Sequence, residues 1–250
     1  MPDALLMVTR LNKRFGAVQA CRNVSLAIEK GHIHALIGPN GAGKTTVLNQ
    51  LSGEVFPDSG TVCLNGQNIT RMPVHRRALL GLARSYQMTS VFEQLSVKEN
   101  LALSIQAHRG HSFRFWKSAR SDPALRRAVV PAMERVGLEH RADILVGNLS
   151  HGEKRQLEVG MALAGDPMLL LLDEPMAGMG PGGAVELSKR IQAIKNKVTI
   201  LLVEHDMTAV FSLADRITVL DYGTAIASGT PEDIRSNAAV RQAYLGDEAE

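Results

Sequence analysis

The chain has 250 residues, 45% of them apolar and 21% charged, a composition that fills an ordinary globular core and excludes extended disorder. Its 28 basic and 25 acidic side chains leave a net charge of +3, too balanced for the concentrated basic face of a nucleic-acid binder. No uninterrupted apolar run exceeds the five residues of Met168 to Leu172, far short of the roughly 18–20 residues a membrane span needs.

The N-terminal stretch MPDALLMVTRLNKRF lacks a basic start followed by a long apolar segment, so no secretory leader is expected and the protein should stay in the cytoplasm. Val24, Leu26 and Ile28 alternate as in a half-buried strand, and TVCLNGQNI carries an Asn65-Gly66 hairpin signal, so an antiparallel layer is predicted near the N-terminus. Cys21 and Cys63 have no CxxC pattern or metal-ligand neighbours and read as small buried side chains in a reducing compartment. HIHALIG then runs through a glycine-rich loop into KTTVLNQLSG, a helix with Val47, Leu48 and Leu51 on one face and Gly53 as its stop.

From 96 to 148 the strand signal disappears, and an inserted helical subdomain is expected. Ser96 and Glu99 form a capping box before LALSIQ, and Asp122-Pro123 opens a second helical stretch that Pro131 should kink or divide. After Gly165, strands are predicted near 168–172, 199–203 and 216–220, with helices near 182–195 and 207–214. Buried strands separated by helices describe an α/β fold with a mostly parallel sheet covered on both faces. The whole of 1–250 reads as one domain.

GPNGAGKT, residues 38 to 45, has the spacing of a phosphate loop, with the strand before and the helix after that the motif requires. Its residues Gly38, Pro39, Asn40, Gly41, Ala42 and Gly43 would turn backbone N–H groups toward phosphate oxygens, aided by the helix N-terminus at Lys44, Thr45 and Thr46. Lys44 should reach the β- and γ-phosphates and Thr45 the Mg²⁺ ion. LLLLDE, residues 169 to 174, is a buried strand ending in two carboxylates: given the phosphate loop, Asp173 is the expected acid for Mg²⁺, and Glu174 can polarise the attacking water. The segment NLSHGEKRQLEVG reads both as a helix start, with Ser150 and Glu153 as its capping box, and as half of a nucleotide site.

In chain order stand Phe15 in KRFG, the loop at 38–45, Gln87 in SYQM, LSHGE at 149–153, LLLLDEP at 169–175 and His205 in LVEHD. With these six elements in one order the chain resembles the ATP-binding cassette family over essentially its full length. The resemblance implies that the core is a P-loop NTPase and that the activity is ATP hydrolysis, with ATP and Mg²⁺ bound. It further implies that Phe15 stacks on adenine, Gln87 senses Mg²⁺ and the attacking water, and His205 contacts the γ-phosphate. Ser150 and Gly152 would face the phosphate held by a second cassette subunit. His151 departs from the usual glycine of that signature, Glu153 from its glutamine, and Gly180 stands where many relatives carry an aspartate.

Among cassette families, the chain is similar to the ATPase subunits of bacterial branched-chain amino acid importers, through its long insertion after Gln87, DEPMAGM, GTPEDI at 229–234 and YLG at 244–246. ATPase subunits of urea and short-chain amide importers share the frame. The likeness implies a second, preferably paralogous, ATPase subunit, transmembrane permease subunits and indirectly a periplasmic substrate-binding protein, at the cytoplasmic face of the inner membrane. A soluble cassette clamping nucleic acid or ribosomes is the alternative, although the second cassette, long coiled coil or basic extension typical of such proteins is not seen. Arg109, Arg114, Lys117, Arg120, Arg126 and Arg127, interleaved with Phe113, Phe115 and Trp116, read either as a solvated helical face or as a contact for the permease or anionic headgroups.

Overall fold

The computed structural model describes residues 4–85, 91–108 and 123–245. Gln87 and most of the basic and aromatic stretch from 109 onward lie outside the described residues, as does the side chain of Arg126; Arg127 is exposed on a helix.

Two long strands, β1 (Ala4–Phe15) and β2 (Val18–Glu29), pair antiparallel, and β4 (Ser59–Leu64) and the short β5 (Gln67–Asn68) complete a four-stranded sheet in the order β2-β1-β4-β5. The β4–β5 hairpin turns at Asn65 and Gly66, both at positive φ (47° and 78°), the conformation for which the Asn-Gly pair is selected. Cys21 is buried, as expected, but Cys63 is only half-buried; both are free thiols.

A second sheet has six strands in the order β10-β9-β3-β8-β7-β6. Its centre, β3 (Ile33–Ile37), β7 (Leu169–Asp173) and β8 (Thr199–Val203), is buried at every position and joined in parallel, as are β6 (Leu82–Arg84) to β7 and β9 (Arg216–Asp221) to β3. β10 (Thr224–Gly229) adds antiparallel to β9. Alternation in the pleat sends Leu170, Leu172, Ile200 and Leu202 into one core and Leu169, Leu171, Leu201 and Val203 into another. The first core faces α5 (His151–Leu163) and α6 (Pro181–Ile194); the second faces α1 (Lys44–Ser52) and the antiparallel sheet. Both faces are therefore covered, which is what near-continuous apolar strands demand.

Within 96–148, α3 (Val97–His108) and α4 (Pro123–Val136) pack on α5 through Leu101, Ile105, Val129, Met133 and Leu157. The Ser96–Glu99 capping box is present. α4 runs undivided through Pro131. Pro131 and Arg127, whose carbonyl loses its helical donor, both lie on the exposed side, where water can replace the lost bond. Short α2 (Val74–Leu79), α7 (Met207–Leu213), α8 (Pro231–Ser236) and α9 (Ala238–Leu245) complete the described helices.

Candidate active site

The strand order puts the C-terminal ends of β3, β8 and β7 side by side, so the loops that follow them converge. This is the crevice outside the carboxyl ends of the strands where α/β sheets hold ligands. After β3 the chain enters the phosphate loop. Gly38 and Gly43 are there for space as well as for conformation: an added Cβ would stand 2.1 Å from the Leu220 carbonyl oxygen at Gly38 and 2.4 Å from that of Ala20 at Gly43. Gly41, at φ +79°, faces open space and is a glycine for its backbone alone. The Ala42 carbonyl accepts from Gly223 N–H at 3.0 Å, so the turn between β9 and β10 clamps the loop from outside.

α1 starts at Lys44 with no side-chain cap and no acidic residue in its first turn, leaving its first N–H groups turned toward the cleft as donors. Lys44 is buried, and its Nζ donates to the carbonyls of Gly38 (2.7 Å) and Pro39 (3.0 Å). Burial holds its pKa below the ordinary lysine range, against the pull of Glu174 and Asp173. Thr45 is exposed beside it. Residues 40–46, Glu174 and His205 line one cleft of 630 Å³, together with Arg14, Val18, Arg22 and Tyr222.

Asp173 ends β7 almost fully buried, at 1% side-chain exposure. Arg84 Nη2 donates to its Oδ2 at 3.1 Å, whereas Oδ1 is buried without a hydrogen-bond partner among the described residues. Burial pushes its pKa up, opposed chiefly by Arg84. Glu174 follows at φ +49°, a left-handed conformation rare outside glycine, and its N–H donates to the Val203 carbonyl at 2.9 Å. Its Oε1 lies 2.7 Å from His205 Nε2. The first residue beyond β8, Glu204, is buried; its Oε1 accepts from Met176 N–H at 2.9 Å and its Oε2 from His205 N–H at 3.2 Å. Burial raises the Glu204 pKa, and those two N–H bonds oppose the rise.

The remaining expected residues lie elsewhere. Phe15 ends β1, half exposed, with Lys13 Nζ 5.4 Å from its ring centroid; it stands next to cleft-lining Arg14 but does not itself line the cleft. Ser150 caps α5 and Gly152 lies in its first turn; neither lines the cleft. Ser150 Oγ accepts from Glu153 N–H at 3.3 Å, and Glu153 Oε2 accepts from Ser150 N–H at 2.8 Å, so the capping box is complete. Although partial burial works to raise the Glu153 pKa, Ser150 and Arg141 outweigh it and hold the carboxyl below the ordinary range. The His151 ring rests on Gly178, where an added Cβ would meet Nε2 at 3.0 Å. Gly180 caps α6 at φ −67° with open space around it, so nothing among the described residues requires glycine there.

Sequence reading missed Arg84, Glu204, Tyr222, Arg14 and Arg22 as part of this region. Tyr222 had a signal, the Asp-Tyr-Gly turn, which places it at φ +41° and 85% exposed over the cleft. Arg84 and Glu204 had none beyond standing near Gln87 and His205, because only the sheet order brings them to Asp173 and to the loop at Met176.

A central strand with a phosphate loop, two neighbouring strands followed by Glu174 and by His205, and a separate antiparallel sheet define a nucleotide-binding P-loop protein. The ABC transporter family pattern matches residues 21–177, and that of the branched-chain amino acid ATP-binding cassette transporter matches residues 226–250. The chain is 40% identical to the high-affinity branched-chain amino acid transport ATP-binding protein LivG of Escherichia coli, over 99% of this chain and all of the relative. It is 32% identical to the lipopolysaccharide export system ATP-binding protein LptB of Haemophilus influenzae, with 98% of each chain covered. Among solved structures, the ADP conformation of MJ1267, an ATP-binding cassette of an ABC transporter, superposes with a TM-score of 0.85 at 28% identity, covering 97% of this chain and 99% of that one. The chain belongs to the ABC transporter family and is an ATP-binding, ATP-hydrolysing member of it.

Proposed function

We propose that the protein is the ATPase subunit that powers a branched-chain amino acid importer. The relatives carrying that name, LivG and the 38% identical BraF of Pseudomonas aeruginosa, span the chain end to end, and a branched-chain amino acid cassette pattern matches residues 226–250. Residues 1–250 then form one nucleotide-binding domain with 96–148 as its helical insertion. The partners are a second cassette subunit and transmembrane permease subunits, with a periplasmic binding protein further off. Among the described residues no helix is long and apolar enough to cross a membrane, so attachment at the cytoplasmic face would run through the permease.

One observation carries the chemistry: Glu174 and His205 meet at 2.7 Å on the wall of the cleft whose floor is the phosphate loop. In this reading the backbone N–H groups of residues 41–46 and the α1 N-terminus take the β- and γ-phosphates. Lys44 exchanges its bonds to Gly38 and Pro39 for phosphate oxygens. The donor set suits Mg²⁺, which needs few protein ligands beside phosphate and water: Thr45 offers a hydroxyl, and the orphaned Oδ1 of Asp173 offers a buried carboxylate oxygen. Bound there, Mg²⁺ would neutralise charge on the phosphates. Glu174 polarises the attacking water, His205 contacts the γ-phosphate and Gln87 senses both metal and water. Phe15 stacks on adenine. Ser150 and Gly152, which are not among the residues lining this chain's own cleft, are presented to the nucleotide of the partner subunit. ATP closes the dimer, and hydrolysis reopens it.

Glu174→Gln tests the assignment. The variant should bind ATP, lose steady-state turnover and accumulate as an ATP-trapped dimer on size exclusion. Hydrolysis at the wild-type rate would show that another group activates the water.

A further inference from the structure

Glu204 spends its charge in an unusual place. It sits between β8 and His205, 4% exposed, where burying a carboxylate is costly and an apolar side chain would pack at lower cost. Both of its oxygens are engaged, and each takes a backbone N–H from a different loop: Met176 from the loop after β7, and His205 from the loop after β8. Met176 lies two residues beyond Glu174, which is itself at φ +49° with its N–H fixed to the Val203 carbonyl. A non-glycine residue in that conformation persists when its surroundings over-determine it. The Val203 carbonyl holds one end of the Glu174 segment, and Glu204 holds the other.

We propose that Glu204 is a positioning residue for hydrolysis: its carboxylate ties the backbone after Glu174 to the backbone of His205, so that the Glu174 carboxylate and the His205 imidazole are set at their 2.7 Å contact before ATP arrives. Two N–H donors require a group that accepts at both oxygens and donates from neither. An ionised carboxylate meets this requirement; an amide of the same shape turns an NH₂ toward one of the donors. Glu204 bonds to no phosphate-loop residue, and that loop carries most of the phosphate contacts, so ATP binding should depend little on Glu204. The proposal rests on reading Glu174 and His205 as the hydrolytic pair.

The discriminating experiment compares Glu204→Gln with Glu204→Asp in the full chain within its membrane complex, measuring kcat, KM and equilibrium binding of a fluorescent ATP analogue. Binding should stay within about threefold of wild type in both, while kcat falls by about tenfold or more in Glu204→Gln, a transition-state loss without a ground-state one. Glu204→Asp, although shorter, keeps both acceptors and should retain more kcat than the isosteric Gln variant. A side chain that only fills space would give the reverse order, and Gln at or above Asp overturns the proposal. So does a Gln variant with wild-type kcat. If Glu204→Gln does not fold, Glu204→Met, which fills the space but accepts neither N–H, takes its place: kcat lower in Met than in Asp with binding intact upholds the proposal, and Met at or above Asp overturns it. Wild-type turnover in Glu174→Gln would instead remove the reading of the site on which the proposal stands.

Discussion

Replacing Arg77 by methionine should cost the protein a large part of its stability while leaving its ATP site intact. Arg77 lies on α2 with no exposed surface and donates to four backbone carbonyls: Met72 (2.7 Å), Gln50 (2.7 Å), Leu51 (2.7 Å) and Thr70 (3.0 Å). Two of these, Gln50 and Leu51, belong to the last turn of α1, whose carbonyls have no helical partner, so the guanidinium closes the end of the phosphate-loop helix. Burial pushes the Arg77 pKa down to about 10, so the group stays charged at neutral pH, and nearby Gly53 leaves it room: a Cβ there would stand 2.8 Å from Nε. Hydrogen bonds to a charged donor are worth about 1.5–3 kcal/mol each. Four of them are offset by the several kcal/mol that desolvating the cation costs, and breaking such a buried arrangement from one side typically leaves a net loss of about 3–5 kcal/mol. For a chain of this size that is a fall in Tm on the order of 10 °C.

Thermal and urea unfolding of the full chain followed by circular dichroism would measure it. Arg77→Lys, which keeps the charge but replaces the fork with one point donor, should fall between the two. ATP affinity below the transition should change little, because the α1 N-terminus and the loop are held by other contacts. An Arg77→Met variant melting within about 3 °C of wild type would refute the reasoning, since the four carbonyls would then be satisfied without the guanidinium.

Two further outcomes follow, one from a buried histidine and one from a close backbone approach. His34, in the central strand, hydrogen-bonds Thr218 Oγ1 at 2.8 Å, and burial, aided by Arg216 and His32, lowers its pKa to about 4. The unfolded chain, with an ordinary histidine near 6.5, then binds a proton that the native state refuses, so stability falls as pH drops from about 6.5 toward 4 by on the order of 3 kcal/mol, a slope that urea titrations should find reduced in His34→Gln. Gly43→Ala places a Cβ 2.4 Å from the Ala20 carbonyl oxygen at φ +101°, so it should lower Tm more than Gly41→Ala, whose Cβ meets nothing, and weaken ATP binding about tenfold or more; equal Tm shifts would mean that the clash relaxes freely.

Much of the cassette was legible because its signals are local. The phosphate loop is eight consecutive residues whose spacing names their task, and the Ser150–Glu153 and Ser96–Glu99 boxes need no partner beyond the next turn. The strands near 168–172, 199–203 and 216–220 were readable because a strand buried on both faces is a near-continuous apolar run. Of the two outcomes expected at Pro131, a kink or a division, the division does not occur: proline removes one bond, and an exposed carbonyl at Arg127 can give that bond to water. The His151 substitution is accommodated by a residue twenty-seven positions away, Gly178, a pairing invisible to any local pattern.

The sequence by itself therefore determined the elements and the list of chemical groups, since periodicity, caps and phosphate-loop spacing act within a few residues. Only the tertiary structure decided which groups meet. The order β3-β8-β7-β6 brings Glu174 to His205, puts Arg84 on Asp173, and lets Glu204 bind the loop after β7; the order β10-β9-β3 sets Tyr222 over the cleft. These contacts join residues many positions apart, through strand neighbours that carry no mark of their pairing in the chain. Their energetics, a buried carboxylate needing a donor or a glycine needing an empty volume, exist only once the sheet has closed.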